Sequence, residues 1–359
     1  MLILAIETSC DETSAAVVSG KGTRVSVLSN IVSSQIALHQ KTGGVVPEVA
    51  SREHIKAILP VINLSLKEAK SSLAKIDALA VTCGPGLLGS LLVGTNTAKT
   101  LAYAFSKPII PVNHIAGHIY ANWIGGVIKG DKGIEEDRRK KPIISRNLPS
   151  FPLISLIVSG GHTKLIYMPR HGKYKVIGQT LDDAAGEAFD KVARLLELGY
   201  PGGPAIEKAA KKGDPRAFAF PRGMAKSGDF NFSFSGLKTS VLYTTRQLTP
   251  DTKQLTKKEI NNIAASFQQA VVDVLVGKSL GAIEKFKPKS FLLSGGVAAN
   301  EALIQVMSSE LRARNVNFFH PEKKLCTDNA AMIGAAAYFN QNKKTTWQKI
   351  NAAANLPLA

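Results

Sequence analysis

The sequence predicts a duplicated α/β fold in which two βββ-αβα units follow one another along the chain. Three observations carry that reading: each half opens with three short β-rich runs, each continues into a strand–glycine turn–helix step, and the second half repeats the order of the first. In the first half the opening runs are residues 2–6, 15–19 and 24–28, followed by a helical stretch over 48–69. Next come the apolar run 78–82, the turn Gly84-Pro85-Gly86, a long helix over 88–105 and a buried strand at 109–112. The second half has strands at 153–159, 164–168 and 174–178 and a helix over 186–198. It continues with a strand at 290–294, the Gly295-Gly296 turn, a helix over 300–314, a strand at 317–319 and a closing helix over 328–342. An ordinary doubly wound sheet is the alternative, and the three opening strands in each half argue against it. The repeat is that of the ribonuclease H-like, actin-type (ASKHA) fold, in which a nucleotide lies in a central cleft between two lobes. The expected division is a first actin-like lobe over 1–126, a connector over 127–150 and a second lobe over 151–327, with residues 328–359 packing back on the first. The connector is charged, poor in apolar residues and basic at its end, in Arg138-Arg139-Lys140-Lys141.

The 359 residues are 45% hydrophobic and 20% charged, with a mean hydropathy of +0.03, enough apolar surface for one large or two ordinary cores. Charge is the outlier: 45 Lys and Arg against 27 Asp and Glu leave a net charge of +18 and a pI of about 9.7. Such an excess points to a polyanionic partner attracted over long range; the plainer alternative is a lysine-rich surface that keeps the protein in solution. Cys10, Cys83 and Cys326 are far apart and form no C-x-x-C pair, which excludes a disulfide scaffold and a cysteine-built zinc site and fits a reducing compartment. The apolar start of the chain is ended by Glu7 and has no basic region before it, so it does not read as a signal peptide. No run of about 18–20 apolar residues occurs, so no membrane span is expected. The expected compartment is the cytoplasm.

Four constellations carry chemistry. The turns Ser159-Gly160-Gly161-His162-Thr163 and Ser294-Gly295-Gly296 stand at matching places in the repeat, where glycine lets backbone N–H groups converge on a phosphate. Each alone is usually only a turn; no G-x-x-x-x-G-K-[ST] run occurs, which excludes P-loop chemistry. His114 and His118 are four residues apart, on one helix face, where two imidazoles can share a metal. The H-E-x-x-H peptidase motif has a Glu after its first His, and here Ile115 takes that place, so the spacing supports a metal but not that hydrolysis. A chance pairing on a helix is the other reading. Asp328 is a suitable hard third donor, or a plain helix cap. Glu7, Asp11 and Glu12 cluster between the first two strands, as a base or a metal- or water-positioning group, or as ordinary turn residues. Asp183, Glu187, Asp190 and Lys191 fall near one helix face, where carboxylates can bind ribose hydroxyls or simply face solvent.

Taken in order, these residues form a longer pattern. It opens with Ile6-Glu7-Thr8-Ser9-Cys10-Asp11-Glu12-Thr13 and continues through Gly43-Gly44-Val45-Val46-Pro47-Glu48, Ala50-Ser51-Arg52-Glu53-His54, Gly84-Pro85-Gly86-Leu87 and Asn113 to His118. Ser159 to Thr163, Gly186 to Lys191, Phe232-Ser233-Phe234-Ser235-Gly236-Leu237-Lys238, Ser294 to Asn300 and Cys326 to Ala331 complete it. Over nearly its whole length the chain is similar to the tRNA N6-adenosine threonylcarbamoyltransferase family, in its bacterial and organellar branch. The resemblance implies an actin-like fold and transfer of a threonylcarbamoyl group from threonylcarbamoyl-adenylate to N6 of adenosine 37, in tRNAs reading codons that begin with A. It implies His114, His118 and Asp328 as ligands of one divalent metal per chain, Fe2+ with Zn2+ as the alternative. Ile157, Val158, Ser159, Gly160, Gly161, Asp190, Gly203 and Asn300 match the positions that hold the adenylate, with ATP or ADP as a further occupant of the cleft. The implied partners are tRNA and either TsaB- and TsaE-like accessory subunits or a second copy of the chain, with no membrane. An organellar member would work in the mitochondrial matrix. The departures are few: Glu197 where the family commonly has Gly, Gly334 where it commonly has Ala, and a connector at 127–150 longer and more basic than the family pattern leads one to expect.

The implied chemistry is coherent. The donor is a mixed carbamic–phosphoric anhydride with AMP as leaving group, so the demanding steps are stabilising charge on the attacked carbonyl and deprotonating a weakly nucleophilic amine. A metal on two imidazoles and a carboxylate keeps open positions for the carbamoyl group. Asp11 or Glu12 is the candidate proton acceptor, and the +18 charge suits a tRNA substrate. A zinc metallopeptidase built on the same His pair and an actin-like ATPase or kinase are the rival readings.

Overall fold

The computed structural model describes residues 1–125, 148–249 and 254–358, so nearly all of the basic connector expected at 127–150 lies outside the described residues. The first elements are β1 (Leu2–Glu7), β2 (Glu12–Lys21), β3 (Arg24–Ser34), α1 (Ile36–His39), α2 (Pro47–Glu68), β4 (Ala78–Gly84), α3 (Leu88–Ala104), β5 (Ile109–Asn113) and α4 (His114–Tyr120). Then follow β6 (Leu153–Val158), β7 (Thr163–Arg170), β8 (Lys173–Gln179), α5 (Ala185–Leu195), α6 (Gly202–Ala210), α7 (Ser235–Leu248) and α8 (Lys257–Phe286). The last are β9 (Ser290–Ser294), α9 (Glu301–Ala313), β10 (Asn317–Phe319) and α10 (Ala330–Phe339). They divide into two units: Met1–Gln35, Val45–Ser150 and Pro321–Ala359 in the first, Ile36–Gly44 and Phe151–His320 in the second.

In the first unit the sheet order is β3-β2-β1-β4-β5. β1, β2 and β3 form an antiparallel meander, and β4 and β5 run parallel to β1, with Glu7 opposite Ser14 and Ile6 opposite Val81. Strands 1 and 4 are almost wholly apolar because helices cover the sheet on both faces. Alternation along the strands sends Leu4, Ile6, Ala15 and Val17 into a core with Ile58, Val61, Ile62 and Leu66 of α2. The opposite face takes α10, an alanine-rich helix whose backbone lies close against the sheet. A Cβ at Gly334 would stand 2.6 Å from Val18 Cγ2 and 3.4 Å from Ala5 Cβ, so the glycine that departs from the family pattern is what this approach requires.

The second unit repeats the topology with order β10-β9-β6-β7-β8: an antiparallel meander from the unit's first strand, then two strands parallel to it. Two mixed sheets with one strand order, each flanked by helices, are the actin-like α/β architecture. Between β8 and β9 the chain carries α5 to α8, where the sequence reading assigned only the first helix. Helix α8 runs for 30 residues and starts in a capping box, Thr256 Oγ1 accepting from Glu259 N (3.3 Å) and Glu259 Oε2 from Thr256 N (2.7 Å). Its Phe267 stacks edge-to-face on Phe189 of α5, centroids 5.2 Å apart.

Boundaries shift for local reasons. Strands β2 and β3 extend beyond 15–19 and 24–28 because each is the other's hairpin partner, paired from Glu12 opposite Ser34 to Lys21 opposite Arg24. Helix α5 stops at Leu195, short of 198; Glu197, just past its end, has φ +56°, the left-handed conformation that commonly closes a helix on glycine. Helix α10 starts at Ala330 rather than 328, capped by Asn329, whose side chain accepts from Met332 N (3.1 Å). Among the described residues no helix is long and apolar enough to cross a membrane.

Candidate metal centre and glycine turns

The first unit turns directly from β5 into α4 because Asn113 Oδ1 accepts from Ile115 N (2.9 Å) and Ala116 N (3.3 Å). His114 is therefore the first residue of the helix, and His118 lies one turn on, the two rings edge-to-face at 4.7 Å. Asp328, brought from the far end of the chain, stands one residue before the cap of α10 and is not the cap itself. Its Oδ1 lies 3.5 Å from His114 Nε2 and 3.2 Å from His118 Nε2, and the three ligand atoms all lie within 4.8 Å of one another. The structure thus brings together the three residues that the sequence offered as ligands.

The fit to a cation rests on His118. Its side chain is 1% exposed, yet among the described residues neither ring nitrogen has a hydrogen-bond partner: Nε2 is close to Asp328 without being aligned to it. Leaving a buried imidazole nitrogen in this way is costly, of the order of 1–3 kcal/mol, and a cation shared with Asp328 would satisfy Nε2. Two imidazoles and a carboxylate are a donor set for a borderline divalent metal with open coordination positions.

Behind His114 sits a layer that the sequence reading misplaced. Glu7 was grouped with Asp11 and Glu12 as an inter-strand loop carboxylate, but it closes β1 and is fully buried. Its Oε1 accepts from Ser9 N (2.5 Å), and its Oε2 accepts from Thr82 Oγ1 (2.7 Å) and lies 3.2 Å from His114 Nδ1. Ser9 Oγ is also 3.0 Å from that nitrogen. A carboxylate only accepts, so it selects the tautomer with hydrogen on Nδ1 and leaves Nε2 facing Asp328 and His118 as the ligand atom. Burial opposes a charged His114, but Asp328 and Glu7 outweigh it and raise the imidazolium pKa to about 9. The pocket favours one positive charge, which a metal provides in place of the proton.

Asp11 and Glu12 lie on the turn into β2, Asp11 buried and Glu12 the strand's first residue. Burial pushes the Glu12 carboxyl well above the usual range, and the charges of Asp328 and Asp11 push it further. Both ends of this turn are tied to α2 by the fully buried His54. Its Nε2 donates to the Cys10 carbonyl (3.0 Å) and its Nδ1 accepts from Thr13 Oγ1 (2.8 Å), a tautomer set by the carbonyl. Burial lowers the His54 pKa, which keeps the ring neutral. The sequence offers Glu7 only as one of three clustered carboxylates and offers no role for His54; both lie in quoted motifs, but only the fold shows what they touch.

The second unit holds the glycine turns. Ile157 and Val158 end β6, and the turn closes with Ser159 N donating to His162 O (2.8 Å) and His162 N to Ser159 Oγ (3.2 Å). Gly186 brings the start of α5 against it: its N–H donates to Ser159 O (3.2 Å), and a Cβ there would sit 2.4 Å from that oxygen. Gly295, at φ +94°, packs the second turn on the same strand end, with a Cβ position 2.4 Å from Val158 O. Gly160, Gly161, Gly203 and Gly296 have open space where a Cβ would stand. Asp190 Oδ1 accepts from Gly202 N (2.7 Å), joining α5 to the start of α6. Asn300 caps α9 through Leu303 N (3.0 Å) and donates from Nδ2 to Gln268 Oε1 (2.8 Å), so its amide is engaged within the protein at both ends.

The remaining carboxylates of the 182–191 segment are engaged within the protein. Asp182 accepts from Ser233 Oγ (2.5 Å), Phe234 N (2.8 Å) and Ser235 Oγ (2.7 Å), and Asp183 pairs with Lys191 (2.8 Å) and Lys238 (3.0 Å). Lys191 also meets Glu187 (2.7 Å), so these groups bind α5 to the Phe232–Lys238 stretch.

The family model for tRNA N6-adenosine threonylcarbamoyltransferase matches residues 26–129 and 140–335. The curated protein of that name from Symbiobacterium thermophilum is 52% identical over 338 residues, spanning 94% of this chain and 91% of its own. Its namesake from Clostridium kluyveri is 50% identical over 360 residues, spanning 99% and 97%. Among solved structures, HypF of T. kodakarensis aligns with a TM-score of 0.58 at 16% identity, over 95% of this chain and 47% of that one. Component A of (R)-2-hydroxyglutaryl-CoA dehydratase from Acidaminococcus fermentans aligns with a TM-score of 0.51 at 13% identity, over 96% and 99%. At such identities these two bear on the fold alone, which is actin-like.

Proposed function

We propose that this chain, which belongs to the tRNA N6-adenosine threonylcarbamoyltransferase family, moves the threonylcarbamoyl group of threonylcarbamoyl-adenylate onto N6 of adenosine 37 in tRNAs reading codons that begin with A, releasing AMP. The observation that carries the detailed reading is the convergence of His114, His118 and Asp328, with the buried ring nitrogens of His118 lacking a hydrogen-bond partner among the described residues. When bound there, a divalent cation, Fe2+ or in its place Zn2+, supplies Lewis-acid charge for the carbamoyl oxygen. Glu7 holds His114 in the ligating tautomer. Ile157, Val158, Ser159, Gly160, Gly161, Asp190, Gly203 and Asn300 hold the adenylate, the open glycine positions giving its phosphate close access to backbone N–H groups.

In the transfer the N6 nitrogen bonds to the carbamoyl carbon, the bond from that carbon to the AMP phosphate oxygen breaks, and the N6 proton passes to a carboxylate. Asp11 and Glu12 are the candidates. The net charge of +18 draws in the tRNA, and the reaction takes place in the cytoplasm with accessory subunits or a second copy of the chain.

The test is transfer to unmodified tRNA from the adenylate, read by nucleoside mass spectrometry, with and without bacterial accessory proteins. Modified adenosine that disappears on chelation and in His118→Ala supports the reading. Steady ATP hydrolysis with no modified adenosine under any condition would return the actin-like ATPase reading.

A further inference from the structure

Residues 341–358 follow α10 and lie beyond the stretch matched by the family model, which stops at 335. They do not trail away from the first unit. Thr345 exchanges both backbone hydrogen bonds with Ile109 at the start of β5 (2.9 and 3.1 Å), and Ile350 is buried in the core beneath α2 and α3. Residues 353–357 then cross the ends of β4 and β5. Ala353 N donates to Cys83 O (2.8 Å), and Gly86 N donates to Ala354 O (3.0 Å). The side-chain amide of Asn113 donates to the carbonyls of Leu356 (3.2 Å) and Pro357 (3.1 Å). The approach is close: a Cβ at Gly84 would lie 1.9 Å from Ala353 O and 2.9 Å from Leu356 Cβ.

Two of these contacts lead to the same ring. Asn113 precedes His114 and caps its helix with Oδ1, so its amide is shared between α4 on one side and the strap on the other. Gly86 lies against Ser9: a Cβ there would stand 2.5 Å from Ser9 O, and the next residue, Leu87, donates its N–H to that oxygen (2.8 Å). Ser9 Oγ in turn is 3.0 Å from His114 Nδ1. The strap therefore holds the backbone in front of His114 and, through the Gly86 turn, the serine behind it.

We infer that the strap over residues 353–357 is a positioning element of the metal centre: it locks Asn113 and the Gly84–Gly86 turn, and thereby orients His114 as a ligand. The inference rests on the reading of His114, His118 and Asp328 as a metal site and adds to it a determinant outside the matched family region. Groups hydrogen-bonded to a ligating imidazole typically change metal affinity by about 10–100-fold when removed, and the strap, acting one contact further out through Asn113 and Ser9, is expected at the lower end of that range.

Two variants test it, one full-length and one shortened. Asn113→Asp keeps an oxygen to cap α4, removes the donor and turns a carboxylate toward the two strap carbonyls; the second variant ends the chain after Ile350. Each is compared with the wild type by Zn2+ competition against a chromophoric chelator and by the visible spectrum of the Co2+ form. His118→Ala serves as the control that abolishes the Co2+ band. The expected result is Zn2+ binding about tenfold weaker in both variants, with a shifted or weakened Co2+ band and unchanged far-ultraviolet circular dichroism. Affinity within twofold of wild type and an unchanged Co2+ band would overturn the inference. If the shortened chain does not fold, Asn113→Asp decides alone. A wild-type protein that binds neither Zn2+ nor Co2+ would sink the metal-centre reading itself, an outcome distinct from variants that match a metal-binding wild type.

Discussion

Glu7→Gln is the substitution whose consequence follows most directly from the geometry. The side chain is fully buried, and glutamine has nearly its shape, so packing is preserved. Oε1 can still accept from Ser9 N, which places the new NH2 group where Oε2 accepts from Thr82 and faces His114 Nδ1. Thr82 can rotate its hydroxyl to accept. His114 then keeps hydrogen on Nδ1 only by turning it to Ser9 Oγ (3.0 Å) with the new NH2 group still facing it, two donors side by side in a buried site, at a cost of about 1–3 kcal/mol. The ring escapes by moving its proton to Nε2, the atom that faces Asp328 and must ligate. Binding a metal then requires restoring the unfavourable tautomer, which at about 1.4 kcal/mol per decade predicts a loss of about 10–100-fold in metal affinity. The assay is Zn2+ competition together with imidazole 15N shifts of the metal-free protein. Those shifts should also show the His114 pKa falling from about 9, since one of the two carboxylates that raise it is gone. Unchanged affinity with the Nδ1–H tautomer retained in Glu7→Gln would refute the reasoning.

Further outcomes follow from other parts of the molecule. Gly334→Ala should destabilise the protein by about 1–3 kcal/mol in urea titration, because its methyl group meets Val18 at 2.6 Å where α10 lies on the sheet. Glu197→Gly should be neutral or raise stability by up to about 1 kcal/mol in the same experiment, since it relieves a left-handed residue at a helix end and offsets part of that gain with a more flexible unfolded chain. Burial disfavours the Asp183 carboxylate, but Lys191 and Lys238 outweigh it and hold its pKa below the ordinary value. Its contribution is therefore present above the unfolded pKa of about 3.9 and lost as pH falls through the lower folded value, so acid unfolding should be less steep there in Asp183→Asn. With a net charge of +18, tRNA affinity measured by filter binding should fall log-linearly with salt, by an order of magnitude or more between about 50 and 200 mM.

The parts legible in the sequence are those governed by local rules. Apolar runs followed by glycine turns and helices mark the repeated strand order, because buried parallel strands need unbroken apolar residues and their crossovers need tight turns. The i, i+4 spacing of His114 and His118 places two imidazoles on one helix face wherever that helix lies. Asp328 was readable as a donor, but its pairing with residues more than two hundred positions away depends on α10 packing on the first sheet. Glu7 was misread for a related reason: an acid next to Asp11 and Glu12 looks like part of a surface cluster until β1 and β4 pair and bury it beside Thr82. Helices α6 to α8 escaped because no strand frames them, and Pro and Gly around 199–204 read as loop. The strap over 353–357 has no pattern of its own; it is held by main-chain hydrogen bonds, which leave little trace in side-chain identity.

If a single divalent cation at His114, His118 and Asp328 is required for threonylcarbamoyl transfer, activity must follow metal occupancy. Metal-free protein should be titrated with Fe2+ under anaerobic conditions, and transfer to tRNA measured against metal bound per chain in the same samples. The expected result is no transfer at zero occupancy, a linear rise to a plateau at one equivalent, and neither binding nor transfer in His118→Ala. Full transfer by metal-free protein, or a His118→Ala chain that transfers at the wild-type rate, would contradict it.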